Sequence, residues 1–418
     1  MNDLTELPDE ERLAETLSQR LTAGTIYTRA GPSLLISVNP YGPARLGPFP
    51  LYSKEVASLY RGGLPGFQPP HLFDVAERVR ENLATSSTPQ AILVSGESGS
   101  GKTEAIRVLL SSLAGSSPVA SRLLASNLLL EAFGNAQTAK NANSSRFTKV
   151  LELRARGGGV ESGAVRVMLL EAHRVVAQGL GERGFHVFHA LLASPAAGAP
   201  ALSLMPPPAG GWRFLGAPQA ASDAPYFRSV EKVARDLGVT PAVMAGWWAA
   251  LAACLHLGEL ELVPAEDGSG GAALGEGRSA RALVALLGVS HDELSTALTT
   301  RALRIRGEAI AAARSAQGAT AAAASLAKGI FRELFAAVAA ICSGSGAVKG
   351  GGDAPPPPRA ALLLDVFGFE VPAQANGFDA LCINGANCKF PTRTTPAHQK
   401  PTPPKKQTLT LTLPSPKP

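Results

Sequence analysis

The string Gly96-Glu97-Ser98-Gly99-Ser100-Gly101-Lys102-Thr103 constrains this chain more than any other stretch of it. It fits G-x-x-x-x-G-K-[ST], the pattern of a loop that wraps an anion between a strand and a helix. Each part has a physical reason. Glycines let successive backbone N–H groups turn inward as an anion nest. Lys102 stands at the mouth of a helix, where its charge adds to the helix-terminal donors. The Thr103 hydroxyl is placed to bind Mg²⁺ beside a phosphate. A chain with 43 glycines in 418 residues yields Gly-rich strings by composition alone, so the context decides. Residues 91–95 (AILVS) read as a short apolar strand, and a helix follows to about Leu113. That is the required strand–loop–helix order.

Such a loop needs an acid at the end of a neighbouring strand to hold Mg²⁺ or its water. Residues 361–367 (ALLLDVF) are almost continuously apolar, as suits the middle of a sheet. Asp365 ends that run, and Gly368 follows, where a backbone N–H can approach a γ-phosphate with no side chain in the way. The long separation between Thr103 and Asp365 disfavours a compact small GTPase.

Elsewhere the pattern predicts a helix over 3–21 with Asp3 and Glu6 as a capping box, and a strand over 32–38. Helices are expected at 53–61, at 67–85 after a proline start, at 121–132 and at 184–193. A strand pair is expected at 147–155 and 162–170 around a Gly-rich turn. Residues 222–345 read as mostly helical, interrupted by a surface loop at 264–280. Residues 343–359 form a second loop.

The net charge of +6 is unevenly spread. Residues 391–418 hold Arg393, Lys400, Lys405, Lys406 and Lys417 and no acid, so they account for +5 of it. The rest is nearly neutral, which argues against a nucleic-acid-binding fold. The Pro, Thr and Lys composition of 391–418 predicts disorder, with TLTLTL at 408–413 too short to fold alone. Four cysteines in 418 residues exclude a disulfide scaffold. Cys382 and Cys388 lack the spacing and histidines of a zinc site. His186 and His189, three apart on a helix, read as structural, and Trp247 and Trp248 as core. With no secretory h-region and no apolar run of about 18 residues free of a charge or a helix breaker, a cytoplasmic, non-membrane location is expected.

Three motifs in order, GESGSGKTE at 96–104, NANSSRFTK at 141–149 and DVFGFE at 365–370, resemble the P-loop, switch I and switch II of the myosin motor domain. Residues 26–40, 128–138, 169–192 and 248–260 are similar to the intervening family segments, and the resemblance covers roughly 5–390. It implies an α/β P-loop NTPase head with a central mixed sheet, a mostly helical upper 50-kDa-like subdomain and a disordered C-terminal tail. It divides the chain into a nucleotide-binding part at 1–170, a helical region at 171–345, a switch II strand and loop at 360–370, and the tail at 391–418.

The family roles fall on particular residues. Asn39 and Pro40 resemble the start of the purine-binding loop, and Tyr52 the tyrosine flanking adenine. Gly96, Glu97, Ser98, Gly99, Ser100, Gly101, Lys102 and Thr103 resemble the phosphate loop, and Asn141 the asparagine near the α- and β-phosphates. Ser144 resembles the serine by the lytic water. Thr103, Ser145 and Asp365 resemble the Mg²⁺ site. Arg146 and Glu370 resemble the bridge between the switches, and Gly368 the γ-phosphate sensor. Glu308 resembles an actin-facing surface-loop residue that is acidic or phosphorylatable in the family.

The resemblance therefore implies ATP and Mg²⁺ as cofactors, an actin filament as partner, and a cytoskeletal place in a myosin complex. Departures include Ala142 and Thr148 within switch I. Family features beyond Glu370, namely the relay, lower 50-kDa and converter regions, are not recognisable, and neither is an IQ motif for calmodulin or light chains. The expected actin binding is accordingly weak. Two other readings stand beside an actin-activated ATPase: a nucleotide-binding or regulatory head without motor activity, and a fragment of an incomplete gene model.

Overall fold

The computed structural model describes residues 4, 9–63, 66–86, 88–97, 99–115, 117–156, 159–216, 220–266, 270–305, 308–344, 359–366, 368 and 406–412. The chain divides into two compact units. The first holds Met1–Asn127, Ser144–Leu169 and Cys342–Pro418; the second holds Leu128–Asn143 and Leu170–Ile341.

The first unit is built on a seven-stranded mixed sheet. Its strands are β1 (Tyr27–Ala30), β2 (Leu34–Val38), β3 (Gln90–Ser95), β4 (Thr148–Arg156), β5 (Gly159–Met168), β6 (Ala360–Asp365) and β7 (Lys406–Thr412). They lie in the order β1-β2-β7-β3-β6-β4-β5. The two apolar runs predicted to be central are neighbours. β3 and β6 run parallel with Leu363 opposite Ile92 and Asp365 opposite Val94. Ile92, Val94 and Leu363 share one face of the sheet and are fully buried, whereas Leu362 and Leu364 on the other face are half-buried. β4 and β5 form the expected antiparallel pair, with a register shift at Arg154/Ala155.

Helices Leu72–Thr85 and Lys102–Ala114 pack on each other and against β3 and β6. The N-terminal helix runs from Glu10 to Thr22. Asp9 caps it, accepting a bond from the Arg12 N–H at 3.0 Å, and the Asp3 and Glu6 box lies outside the described residues. The helix expected from Pro69-Pro70 starts at Leu72 instead, because the His71 ring caps it by accepting from the Phe73 N–H at 3.0 Å.

The second unit is mainly helical, with helices Asp223–Asp236, Pro241–Gly258, Arg278–Leu287, His291–Thr299 and Ala316–Ser343, whose last two residues are counted with the first unit. Phe185 and Phe188 stack on Phe331 with centroids 4.7 and 5.3 Å away, and Trp247 and Trp248 are buried as expected. Pro241–Gly258 is 18 residues long and apolar enough by composition to cross a membrane, with 61% of it buried inside the protein. The sequence expectation of no such run is corrected here: Pro241 sits in the first turn, where it does not break a helix. The expected loop at 264–280 contains half of a short hairpin, Leu262–Pro264 paired with Ala272–Leu274. Glu308, expected on a surface loop, begins a strand (Glu308–Ala313) paired with Thr300–Ile305.

The disordered tail also needs correction. Lys406–Thr412 is a strand, parallel to both β2 and β3. A segment too short to fold alone finds its missing backbone partners in a gap between two strands.

His71 ties this unit to pH. It is 1% exposed, and burial pushes its pKa down to about 4 against the opposing bond to the Leu51 carbonyl. The folded ring is neutral, with Nδ1 accepting from Phe73 and Nε2 3.2 Å from the Leu51 oxygen. Unfolded chain takes up the proton near pH 6.5 and folded chain only near pH 4. Stability therefore falls as pH drops through that window, by up to about 3 kcal/mol from this group. Denaturant unfolding at pH 7 and 4.5 should show this loss, and His71→Gln should reduce the difference between the two pH values.

Candidate nucleotide-binding site

The loop between β3 and helix Lys102–Ala114 adopts the conformation its glycines permit. Gly99 and Gly101 have φ of +84° and +97°. A Cβ at either would meet no atom within 4 Å, so the requirement is the backbone conformation itself. Gly101 is the N-cap residue of the 13-residue helix and makes no side-chain cap bond. The first-turn N–H groups and helix dipole therefore face the loop.

Lys102 is 8% exposed, and its Nζ donates to the carbonyls of Gly96 at 2.9 Å and Glu97 at 2.7 Å. Burial lowers its pKa to about 8, while the charges of Asp365 and Glu97 oppose that shift. Asp365 and Lys102 thus belong to one site. Asp365 also meets a cation the sequence reading did not single out. Lys149 Nζ lies 3.0 Å from Asp365 Oδ2 with side chains 4% and 6% exposed, and it also donates to Asn127 Oδ1. The two residues are direct partners across the antiparallel β6–β4 ladder. Lys149 closes the NANSSRFTK string, but only the strand register turns it toward the acid.

Ser144 and Arg146, both buried, precede β4, and Arg146 Nη1 donates to Ser144 Oγ at 3.4 Å. Ser145 between them is half-buried. Gly368 is described and half-buried, whereas Ser98 and Glu370 lie outside the described residues, so the Arg146–Glu370 bridge has no geometry here. Asn141 falls in the second unit, where its Oδ1 accepts from the Asn143 N–H at 3.0 Å in a local turn.

A cavity of about 560 Å³ opens beside the loop. Asn39, Pro40 and Tyr52 line it together with Ser100, Gly101 and Glu104. Asn39 Nδ2 donates to the Gly99 carbonyl at 2.9 Å, which ties the end of β2 to the glycine loop. The Tyr52 hydroxyl is 2.6 Å from that of Tyr27, a partner missed in the sequence because it comes from β1, earlier in the chain. Ser100 Oγ is buried and finds no hydrogen-bond partner among the described residues.

The myosin head (motor domain) family model matches residues 1–393. The chain belongs to the myosin head family. It is 33% identical over 395 residues to unconventional myosin-Ia of Gallus gallus, covering 91% of this chain and 37% of that protein. It is 35% identical over 402 residues to unconventional myosin-Ic of Rattus norvegicus, covering 93% and 38%. Myosin IA heavy chain of Dictyostelium discoideum is 32% identical over 403 residues, covering 92% and 39%. The chain thus spans about two-fifths of the length of these myosins.

The Lys149–Asp365 pair makes a testable claim about this myosin head's sheet. Breaking a buried pair leaves a charge without a counterion and costs about 3–5 kcal/mol, whereas removing both partners is far milder. Lys149→Met should lower unfolding free energy by that order, and Lys149→Met with Asp365→Leu should recover most of it. Urea unfolding of the three proteins measures both.

Proposed function

We propose that this chain is a nucleotide-binding myosin head that holds ATP with Mg²⁺. The junction between cavity and glycine loop carries this reading: Asn39 is bonded to Gly99 at the place where a base pocket must meet a phosphate loop. The residues fit the ligand. Tyr52, Pro40 and Asn39 provide a partly apolar wall for a purine. Gly96, Glu97, Ser98, Gly99, Ser100 and Gly101 supply the loop, and the unpartnered Ser100 hydroxyl has hydrogen-bonding capacity left for a ligand.

Lys102 exchanges two neutral carbonyl partners for phosphate charge, which favours its protonated form. Thr103, Ser145 and Asp365 would hold Mg²⁺, which when bound neutralises phosphate charge and fixes phosphate geometry. Lys149 holds the Asp365 carboxylate through their ion pair. Ser144 and Arg146 supply a hydroxyl and a guanidinium for positioning water, with Gly368 and Glu370 closing the site. In-line hydrolysis asks for such positioning and charge stabilisation more than covalent chemistry.

Actin-activated turnover, filament movement and a cytoskeletal, cytoplasmic location are our proposal for the whole family member. Glu308 is placed at the actin-facing rim in that reading.

Lys102→Ala should weaken ATP binding about tenfold to a hundredfold, the loss of a charge-assisted bond. Tyr52→Ala should weaken ATP but leave tripolyphosphate affinity unchanged. Titration with both ligands checks this, and unchanged ATP affinity in Lys102→Ala would sink the phosphate assignment.

Cosedimentation of this chain with actin should be weak and salt-sensitive, because the charge at 391–418 is screened over about 8 Å at physiological salt. Comparison of the full chain with a variant carrying Arg393→Gln, Lys400→Gln, Lys405→Gln and Lys417→Gln at two salt concentrations tests it. Tight, salt-resistant, ATP-released binding by that variant would overturn it.

A further inference from the structure

We propose that Ser279 is a nucleophile, activated by His256, that takes up short acyl groups from esters. The pair lies in the second unit, and the nucleotide reading plays no part in it. His256 is fully buried near the end of helix Pro241–Gly258. Ser279 is half-buried at the second position of helix Arg278–Leu287. Their side chains meet, with His256 Nδ1 3.2 Å from Ser279 Oγ. On the other edge of the ring, Nε2 is 2.9 Å from the Leu202 carbonyl.

These two contacts fix the direction of both hydrogen bonds. A carbonyl oxygen only accepts, so Nε2 carries the ring proton. Burial lowers the pKa of His256; the Leu202 bond opposes that shift and the Arg278 charge adds to it. The ring is therefore neutral at pH 7, and Nδ1 is left as an acceptor. Ser279 donates its hydroxyl proton to it. A hydroxyl held against a neutral imidazole whose far nitrogen is anchored is the arrangement that activates serine nucleophiles. The ring is braced as well. Trp212 packs edge-on against it with centroids 5.2 Å apart. Arg278 donates to the carbonyls of Ser203, Met205 and Pro206, which ties the segment after Leu202 to the start of the helix that carries Ser279.

Space and donors meet at the same place. Ser279 and His256 line a cavity of about 260 Å³ together with Pro208, Trp212 and Ala280, a volume that suits a short acyl group. The other charged groups on its wall are Arg213, Glu259 and Glu261, and Arg213 and Glu259 pair with each other. Helix Arg278–Leu287 has no side-chain cap bond at its N-terminus. The N–H groups of Ser279 and Ala280 fall in its first turn, where no partner exists within a helix. The N–H of the residue after a nucleophile at a helix start is a known oxyanion donor. Trp212, 7% exposed, adds an Nε1–H that finds no acceptor among the described residues. An acyl oxygen gaining negative charge is the acceptor these donors lack.

In the step itself, Ser279 Oγ bonds to the acyl carbon while His256 Nδ1 takes the hydroxyl proton. The bond from the acyl carbon to the ester oxygen then breaks. The leaving oxygen keeps the electron pair and receives the proton from His256, so the products are acyl-Ser279 and an alcohol. Leu202 offers a neutral carbonyl where a serine hydrolase has a carboxylate, so the imidazolium is stabilised only weakly. Acylation is therefore slow, and the acyl group stays on Ser279.

Treatment of the full-length protein with p-nitrophenyl acetate tests this. At pH 7.5 a single acetyl group should appear on Ser279 by peptide mass mapping, and much faster than in the urea-unfolded chain. Ser279→Ala should remove that label. His256→Gln should slow it about a hundredfold, the loss of a general base. The wild-type rate should be nearly constant from pH 7 to 9, because His256 is already neutral there. A serine that must ionise on its own reacts about tenfold faster per pH unit.

No acetyl group on Ser279, or equal rates in folded and unfolded chain, overturns the proposal. A wild-type rate that climbs about tenfold per pH unit overturns activation by His256. So does a folded His256→Gln protein that is labelled as fast as the wild type. If His256→Gln does not fold, the wild-type pH profile decides.

Discussion

The parallel pairing of β3 with β6 is the constraint on which the site depends. Leu363 against Ile92 and Asp365 against Val94 fix the register. A slip of one residue would turn every side chain of β6 to the other face. Asp365 would then leave both Lys102 and Lys149. Buried apolar residues on both strands hold that register, so the hydrophobic core places Asp365 beside Lys149.

Charge follows from this geometry. Lys102, Lys149 and Arg146 are all at least nine-tenths buried within the first unit, as is Asp365. Buried cations are costly unless paired. Lys149 has Asp365 and Asn127, while Lys102 has only neutral carbonyls within hydrogen-bond distance among its described partners. The downward pKa shift of Lys102 reflects that imbalance. An anion in the loop would correct it, so the chain itself is electrostatically prepared for phosphate.

Much of this was legible in the residues because it is local. The glycine loop, the strand before it and the helix after it are contiguous, and ALLLDVF reads as interior at sight. The antiparallel pair at 148–168 is announced by its Gly-rich turn. What escaped the sequence depends on partners far along the chain. Lys149 is one basic residue in a motif until the β4–β6 register sets it beside Asp365. Tyr27 lines the cavity beside Tyr52, its hydroxyl partner, only because the fold brings together residues 25 apart in the chain. The hairpin ending in EAIAAA carries alanines with little strand preference, so tertiary context overrides propensity there. Lys406–Thr412 looks like tail by composition, and only the two strands it lies between make it a strand.

These long-range dependences have a common cause. A central sheet with parallel neighbours cannot be assembled from hairpins, because each parallel neighbour must return from elsewhere in the chain. β3 waits for β6, more than 250 residues later, and for β7 beyond that. The second unit is largely the excursion between β5 and β6. A sheet put together in this way couples distant segments through its backbone ladders. The glycine loop follows the carboxyl end of β3, the place where ligands of such sheets gather, and β3 is held there by strands from distant parts of the chain.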